Sequence, residues 1–564
     1  MAFTSLALNR SALAALPLGV GVLACLLITG PWVLDPRNLA WLEHGDPATH
    51  YLGWLFFRNG PWTFPLGMNP SYGLELSSSI VYSDSNPLLA LLFKPFSALL
   101  PVPFQYFGIW LLVCFILQAW FAWKLLGLVT DSVPLRLIGT CFFVLSPPMI
   151  WRLHEKIGHL NLVGHFFVLA SLYLTLRPET KARKLSWGFL LCSVAAVHAY
   201  LLAMVALLWI SDLAQRAYRQ QQTKKASVTE FIALSALTGL VCWQVGAFSI
   251  VRGIGASGYG LYTLNLLSII DAGKAEYGLW SYLLPDLPGD SQHHEGFNFF
   301  GLGTILLMGF AVIAMIGRRT SLASPIRQHP VLLFALVGLT LFAFSNRIGI
   351  GSMTIEFGLP HPISRLGDIF RSSGRLFWPA YYAILLATLA LVIHGYKRQT
   401  TTLLFALALL VQLVDTSAGW LRIREKLMVH PSSIWDSPLR NPFWAKAAKR
   451  YMKVRWIPIE RSPSWQVLAS YAGNHGLGTD AVYLARVSVQ AYKNAQLRAA
   501  DTLLHGNYES DSLYILDDKA ALNAARSMNK TTDMLVRIDG FNVLAPGWLK
   551  CADCANGVVK TKTE

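Results

Sequence analysis

Apolar residues along this chain gather into blocks close to the ~20 residues that a bilayer-spanning helix needs. The blocks run Ser11 to Leu34, Phe104 to Val129, Leu135 to Trp151, Leu160 to Leu176, Trp187 to Ile210, Phe231 to Phe248, Phe299 to Ile316, Val331 to Phe344, Leu376 to Ile393 and Thr401 to Trp420. Short polar stretches separate most of them, and no repeat of 20 to 50 residues is visible. From Leu421 the apolar blocks shorten and charge rises, which marks a soluble region of about 140 residues, large enough for its own core. The pattern therefore predicts an α-helical polytopic membrane protein, with residues 1–420 as the membrane domain and 421–564 as a C-terminal α/β domain. The first block follows Arg10 and lacks a small-residue cleavage site before Pro31, the pattern of a retained signal anchor.

Basic residues are retained on the cytoplasmic side of a membrane, so short basic loops fix orientation. Four loops are basic: Arg177, Lys181, Arg183 and Lys184; Arg216, Arg219, Lys224 and Lys225; Arg318, Arg319 and Arg327; Lys397 and Arg398. All four face the cytoplasm only if Trp187 to Ile210 turns back on itself, so a split is expected at His198-Ala199-Tyr200, with arms of about a dozen residues each. That gives about eleven membrane segments, a cytoplasmic N-terminus and an extracytoplasmic C-terminal domain. Three long outer loops follow, 35–103, 249–298 and 345–374.

The first two outer loops lean acidic. The third carries Arg347, Arg365, Arg371 and Arg375 against Glu356 and Asp368. Spacings of three, three and four would stack Arg365, Asp368, Arg371 and Arg375 on one helical face. Such a strip suits a lipid phosphate, because guanidinium offers paired donors to phosphate oxygens; the alternative is a snorkelling helix end with Asp368 neutralising one charge. Arg152, at the end of the third block, is a further candidate for that site. In the first loop, Asp46 precedes Pro47, so it reads either as a helix cap or as a reactive carboxylate. Asn86-Pro87 repeats this grammar, and the loop is expected to hold two interfacial helices, Pro47 to Arg58 and Pro87 to Leu100. Asp84 lies at their junction, as a turn residue or a substrate contact.

The motif Gly45-Asp46-Pro47-Ala48-Thr49-His50-Tyr51-Leu52-Gly53-Trp54, then Phe64-Pro65-Leu66-Gly67, then Phe370-Arg371-Ser372-Ser373-Gly374-Arg375-Leu376-Phe377-Trp378-Pro379, resembles a bacterial membrane-protein family of unassigned function. The architecture is similar to the GT-C superfamily of polyprenyl-phosphate-sugar-dependent glycosyltransferases. That resemblance implies catalysis by the acid of the first outer loop, here Asp46, which would take a proton from the acceptor hydroxyl as it attacks the anomeric carbon. It implies a polyprenyl-phosphate sugar as donor, an envelope glycan, lipid or protein as acceptor, and Arg371 and Arg375 stabilising the departing phosphate. Some relatives pair two acids; this chain has a lone Asp46 flanked by His44 and His50, so a divalent metal is an open alternative to a metal-free site.

Composition agrees with a membrane setting: 54% of residues are apolar and 14% charged, and mean hydropathy is +0.43. The net charge of +16 suits anionic lipid and envelope polymers rather than nucleic acid. Histidines fall on the expected outer side at His154, His159, His165, His198 and the run His293-His294-Glu295. His159 suits substrate hydrogen bonding, while the adjacent pair sets no tight metal-ligand pattern. Five cysteines lie in apolar blocks and read as packing residues; Cys551 and Cys554 lie outside and suit a small disulfide loop. Gly473-Asn474-His475-Gly476-Leu477-Gly478 lacks the spacing of a nucleotide loop. In the C-terminal domain, helix-like stretches (Phe443 to Met452, Ala491 to Leu504, Lys519 to Met528) alternate with strand-like runs (Val454 to Ile459, Ser512 to Leu516, Met534 to Ile538). Two other classes stay open: a lipid or polysaccharide flippase or transporter, and a non-catalytic envelope-assembly scaffold.

Overall fold

The computed structural model describes residues 10–77, 79–154, 158–250, 253–254, 258–273, 275–289, 295–460 and 463–551. The chain forms two compact units, one from Met1–Trp41, Phe104–Val241 and Ser257–Pro431, the other from Leu42–Pro103, Cys242–Ala256 and Ser432–Glu564. The first outer loop thus shares a unit with the C-terminal segment rather than with the helices that flank it in sequence.

The first unit is helical. It contains α1 (Arg10–Thr29), then, after the other unit's α2 (Gly45–Asn59) and α3 (Pro87–Phe93), α4 (Phe107–Leu126), α5 (Val133–Val144), α6 (Pro147–Trp151), α7 (Phe166–Leu176), α8 (Arg183–Ala195), α9 (Ala199–Tyr218) and α10 (Lys224–Gln244). It continues with α11 (Leu302–Ile316), α12 (Ala323–Gln328), α13 (Pro330–Phe344), α14 (His361–Asp368), α15 (Trp378–Gly395) and α16 (Arg398–Leu427). Among the described residues, six helical stretches are long and apolar enough to cross a bilayer: Phe107–Leu126, Val133–Trp151, Ala199–Tyr218, Lys224–Gln244, Ser373–Gly395 and Arg398–Leu427. Shorter apolar helices include Leu13–Thr29, Leu160–Leu176, Leu302–Ile316 and Pro330–Phe344. A helix of 15 residues reaches about 22 Å, short of a ~30 Å hydrocarbon core. The long set makes the chain compatible with a multi-pass membrane protein. In α10 only 11% of the apolar window is buried within the protein, so its surface suits lipid rather than water.

Local chemistry explains the breaks. The Pro147-Pro148 pair starts α6 after Ser146, because proline fits the first turn and cannot continue α5. His198 caps α9, its ring nitrogen accepting from the Tyr200 N–H at 3.2 Å, so the expected split falls at this point. The second arm is 20 residues long, well beyond the expected dozen. It extends because Asp212, which ends the apolar run in sequence, is buried against Arg183 at 2.6 Å and Arg216 at 3.0 Å.

The four basic loops meet in pairs at one end of this bundle. Arg183 and Asp212 join the first two, Arg219 donates to the Gln328 carbonyl, and the Arg319 guanidinium lies 5.6 Å from the Tyr396 ring. At the other end a hairpin of β2 (Arg347–Ile350) and β3 (Met353–Glu356) sits in the segment 345–374, expected as the third outer loop.

The second unit is α/β. Its strands are β1 (Gly253–Ile254), β4 (Lys453–Ile457), β5 (Gly478–Thr479), β6 (Val487–Ser488), β7 (Ser512–Leu516), β8 (Met534–Ile538) and β9 (Phe541–Ala545). Five of them form a sheet in the order β5-β4-β7-β9-β8, parallel at β5-β4-β7 and antiparallel beyond. Besides α2 and α3 its helices are α17 (Phe443–Arg450), α18 (Trp465–Asn474), α19 (Val489–His505) and α20 (Asp518–Ser527). Ile457, Tyr514, Leu516 and Leu544 of the sheet pack with Ala520 and Ala524 of α20 as one core. Asp539 and Gly540, both at positive φ, make the turn between β8 and β9.

The helix α2 departs from the expected interfacial role. Pro47 through Arg58 are all buried, whereas a surface helix keeps a polar face in the headgroup region. It packs on α18, and Arg58 binds the carbonyls of Ser97, Leu100 and Pro101 at 2.9 to 3.0 Å. The Asn86 side chain caps α3 as the sequence suggested, accepting from the Leu89 N–H at 3.2 Å. From the last turn of α3 onward the surface turns apolar, with Leu92, Phe96, Leu99 and Val102 exposed.

Candidate functional site

In the first unit, Arg152, Glu295 and Arg375 form a buried ionic cluster. Arg152 follows α6, Glu295 precedes α11, and Arg375 lies in the 3-10 turn Ser373–Phe377 that leads into α15. Glu295 Oε2 accepts from Arg152 Nη1 at 2.6 Å and from Arg375 Nε at 2.8 Å, and Oε1 accepts from Arg375 Nη2. His159 Nε2 lies 3.8 Å from Oε1. The backbone fixes this arrangement: Ser373 Oγ donates to the Ala343 carbonyl, Gly374 N–H to Tyr262, and Asn298 Nδ2 to Gly296. Burial pushes the Glu295 carboxyl up, but the charges of Arg375 and Arg152 outweigh it and hold the group well below the usual carboxylate range. Among the described residues, two guanidinium groups thus meet on one buried carboxylate.

A set of unsatisfied polar groups lies beside that cluster. Among the described residues, Arg152 Nε and Nη2, His165 Nε2 and Trp378 Nε1 are buried without a hydrogen-bond partner. The Arg152 guanidinium stands 5.6 Å from the Trp378 ring, which packs on His165 at 4.0 Å. His165 Nδ1 is held by the Tyr382 hydroxyl at 2.8 Å, and that hydroxyl also meets Ser146 Oγ at 2.9 Å and Gln118 Nε2 at 3.1 Å. Buried donors normally find partners. This group is suited to an anion or to sugar hydroxyls.

The four residues expected to stack on one helix do not. The helix α14 ends at Asp368, and a turn separates it from Ser373–Phe377, so the helical spacing breaks between Asp368 and Arg375. Asp368 Oδ1 accepts from the Gly258 and Tyr259 N–H groups at 3.0 Å each, tying the turn to the second outer loop. Arg365 is exposed, Arg371 is half-buried with its guanidinium 5.9 Å from the Tyr262 ring, and Arg375 is buried. Of the strip, Arg375 alone joins Arg152 and His159 around Glu295. His293 and His294 lie outside the described residues, as does Cys554; Cys551 is disulfide-bonded.

In the second unit, Asp46 and His50 stand four apart on α2 and share a face. His44 takes the cap position without a side-chain bond, which puts Asp46 inside the first turn, where the helix dipole favours a carboxylate. A ring nitrogen of His50 and a carboxylate oxygen of Asp84 come within 4.8 Å, two ligand-type atoms able to share a cation or a proton. Burial alone pushes His50 down to about 3, so its ring is neutral. Asp84 and Asn86 both adopt positive φ, a conformation these residue types tolerate and one often found at functional turns. Ser83 and Ser85 flank Asp84, their hydroxyls 2.9 Å apart, and press against Gly53 of α2.

The same unit holds a second ionic cluster. Arg455 on β4 binds both oxygens of Glu75 at 2.9 Å, Glu509 at 3.0 Å and Asp480 at 3.4 Å. Burial would raise Glu75, but the Arg455 bonds and charge bring it down to about 2. Asp480 is pushed up to about 7 by burial, in spite of its bonds to the Trp456 N–H and Arg455. This cluster docks the first outer loop on the sheet.

Sequence reasoning did not assign Glu295, Trp378 or Tyr382 to the site. Arg375, Trp378 and Tyr382 are spaced three and four apart, a helical-face signal that was available. Glu295 carried no such signal, since its partners come from distant segments.

No curated protein matches the chain. A family model described as the DUF6311 C-terminal domain matches residues 443–546. A second, described as a domain of unknown function (DUF6311), matches residues 18–417, more than half of the chain, and the protein belongs to this family.

Proposed function

We propose that this protein is an integral membrane glycosyltransferase of GT-C type that moves a sugar from a polyprenyl-phosphate donor to an envelope glycan, lipid or protein acceptor. The observation that carries the reading is the buried Arg152-Glu295-Arg375 cluster, in which Arg152 Nε and Nη2 have no partner among the described residues and fit the oxygens of a lipid-linked phosphate. In this reading Arg152 binds the phosphate, Arg375 holds Glu295 in place, and His159 and His165 contact sugar or phosphate oxygens. Arg371 and Arg365 guide the anion from the third outer loop. Asp46 acts as the general base, one turn of α2 before His50; a divalent cation at His50 and Asp84 is compatible with their chemistry.

The reading includes about eleven membrane segments in the bacterial inner membrane, a cytoplasmic N-terminus and an extracytoplasmic C-terminal domain. The pairing of all four basic loops at one end of the bundle supports that orientation, and exposed Phe96, Leu99 and Val102 support contact with membrane lipid. The test is transfer of radiolabelled sugar from a panel of polyprenyl-phosphate sugars by the full-length protein in detergent. Product with wild type and none with Asp46→Asn supports the transferase. Movement of lipid-linked sugar across sealed vesicles with no transfer supports a transporter instead.

A further inference from the structure

A cavity of about 190 Å³ opens where α7 ends, α8 begins and α9 ends. It lies at the opposite end of α7 from His165 and therefore from the Arg152 cluster. Arg177, Arg183, Arg216 and Arg219 line it, against Asp212 and Glu179.

Two of those arginines are already matched. Arg183 binds Asp212 at 2.6 Å, and Arg216 binds Asp212 at 3.0 Å and Glu230 at 2.6 Å, so these two cations and two acids balance. They form a rigid floor, since all four side chains are buried. Arg177 and Arg219 supply the surplus charge, opposed in the lining only by the exposed Glu179.

An independent observation points to a ligand. Gln215 is 6% exposed, its Oε1 accepts from the Val331 N–H at 3.2 Å, and its Nε2 has no partner among the described residues. Arg177 Nε and His329 Nδ1, which line the same cavity, are likewise unpartnered. Such groups are normally satisfied, and a phosphate offers the acceptor oxygens they lack. The place matters too, because the cavity sits at the ends of apolar helices, where a headgroup lies when its acyl chains run alongside them.

We propose that this cavity binds the phosphate headgroup of an acidic membrane phospholipid. Arg177 and Arg219 attract the charge, and Gln215 Nε2 and Arg177 Nε donate to phosphate oxygens. The site stands apart from the transferase reading and does not require it.

Native mass spectrometry of the full-length, delipidated protein tests this with phosphatidylglycerol and with phosphatidylcholine of the same acyl chains. One retained phosphatidylglycerol, and no phosphatidylcholine, is expected for wild type. The double variant Arg177→Gln/Arg219→Gln should weaken it roughly thirtyfold, the effect of two basic residues near a lipid headgroup. Gln215→Glu, which keeps the acceptor for Val331 and replaces the donor, should also lose it. Both arginines lie outside the buried network, so an unchanged thermal midpoint shows that the double variant is folded. Equal retention of the two lipids, or retention by the folded double variant, would overturn the proposal. Full displacement of phosphatidylglycerol by equimolar inorganic phosphate would overturn it in favour of a soluble-anion site.

Discussion

Both carboxylate oxygens of Glu295 accept from Arg375, Oε2 from Nε at 2.8 Å and Oε1 from Nη2. The Arg375 fork is therefore engaged with an internal partner, while Arg152 gives Glu295 one nitrogen and has two donors without a partner among the described residues. In the proposed function Arg152 is therefore the main phosphate ligand, and Arg375 the residue that holds Glu295.

Removing the central charge should be the most damaging change there. Glu295→Gln takes from two buried guanidinium groups the carboxylate they share and is expected to destabilise the protein by about 3–5 kcal/mol. Arg152→Gln leaves the Glu295-Arg375 pair intact and should stay below about 2 kcal/mol. Unfolding in detergent, followed by tryptophan fluorescence, compares the two.

Close packing at Gly53 positions Asp84. A Cβ at this residue would stand 2.2 Å from Ser83 Oγ and 2.4 Å from Ser85 Oγ. Gly53→Ala should displace the turn, with a stability loss of about 1–3 kcal/mol. Transfer activity should fall by more than this loss explains, as measured at a temperature where the variant is fully folded.

Protonation of His50 is opposed by burial, which lowers it to about 3 from 6.5. The unfolded chain binds the proton more readily, so the contribution of neutral His50 is complete above pH 6.5 and declines as pH falls from there toward 3. His50→Gln should flatten the fall in thermal midpoint between pH 6.5 and 4.5. An unchanged slope would show that His50 is not the titrating group.

Asp480 acts in the opposite direction. Its carboxyl is raised from 3.8 to about 7, so the folded state holds the proton more tightly. Its stabilising share is complete below pH 3.8 and is lost as pH rises through 7. Asp480→Asn keeps an acceptor for the Trp456 N–H and carries no charge, so it should match wild type near pH 4 and exceed it in thermal midpoint at pH 8.

The apolar blocks revealed most of the helices, because the length and hydropathy of a membrane-sized segment are local properties. The turn at His198 was also legible, since the charge of the flanking loops required it. Burial was harder to read. The helix α2 looks amphipathic enough for a membrane surface, yet it is enclosed by segments that lie hundreds of residues away, including α18. Likewise the strip from Arg365 to Arg375 has helical spacing, but Asp368 is captured by the backbone at Gly258 and Tyr259 and the helix ends. Arg152, His159 and Arg375 could be named from charge and position. Glu295 could be named only as the neighbour of His293 and His294, because its role in gathering the others depends on contacts remote in sequence.

The central claim is transfer from a lipid phosphate, with Asp46 as base and Arg152 as phosphate ligand. Initial rates of radiolabelled sugar transfer across a range of polyprenyl-phosphate-sugar concentrations test it most directly, with wild type, Asp46→Asn and Arg152→Gln side by side. The expected result is a fall in kcat of at least about a hundredfold for Asp46→Asn with little change in KM. Arg152→Gln should raise KM about tenfold or more, in line with loss of a charged hydrogen bond. Transfer by Asp46→Asn at the wild-type rate, or no transfer by folded wild type with any donor and acceptor, would contradict the account.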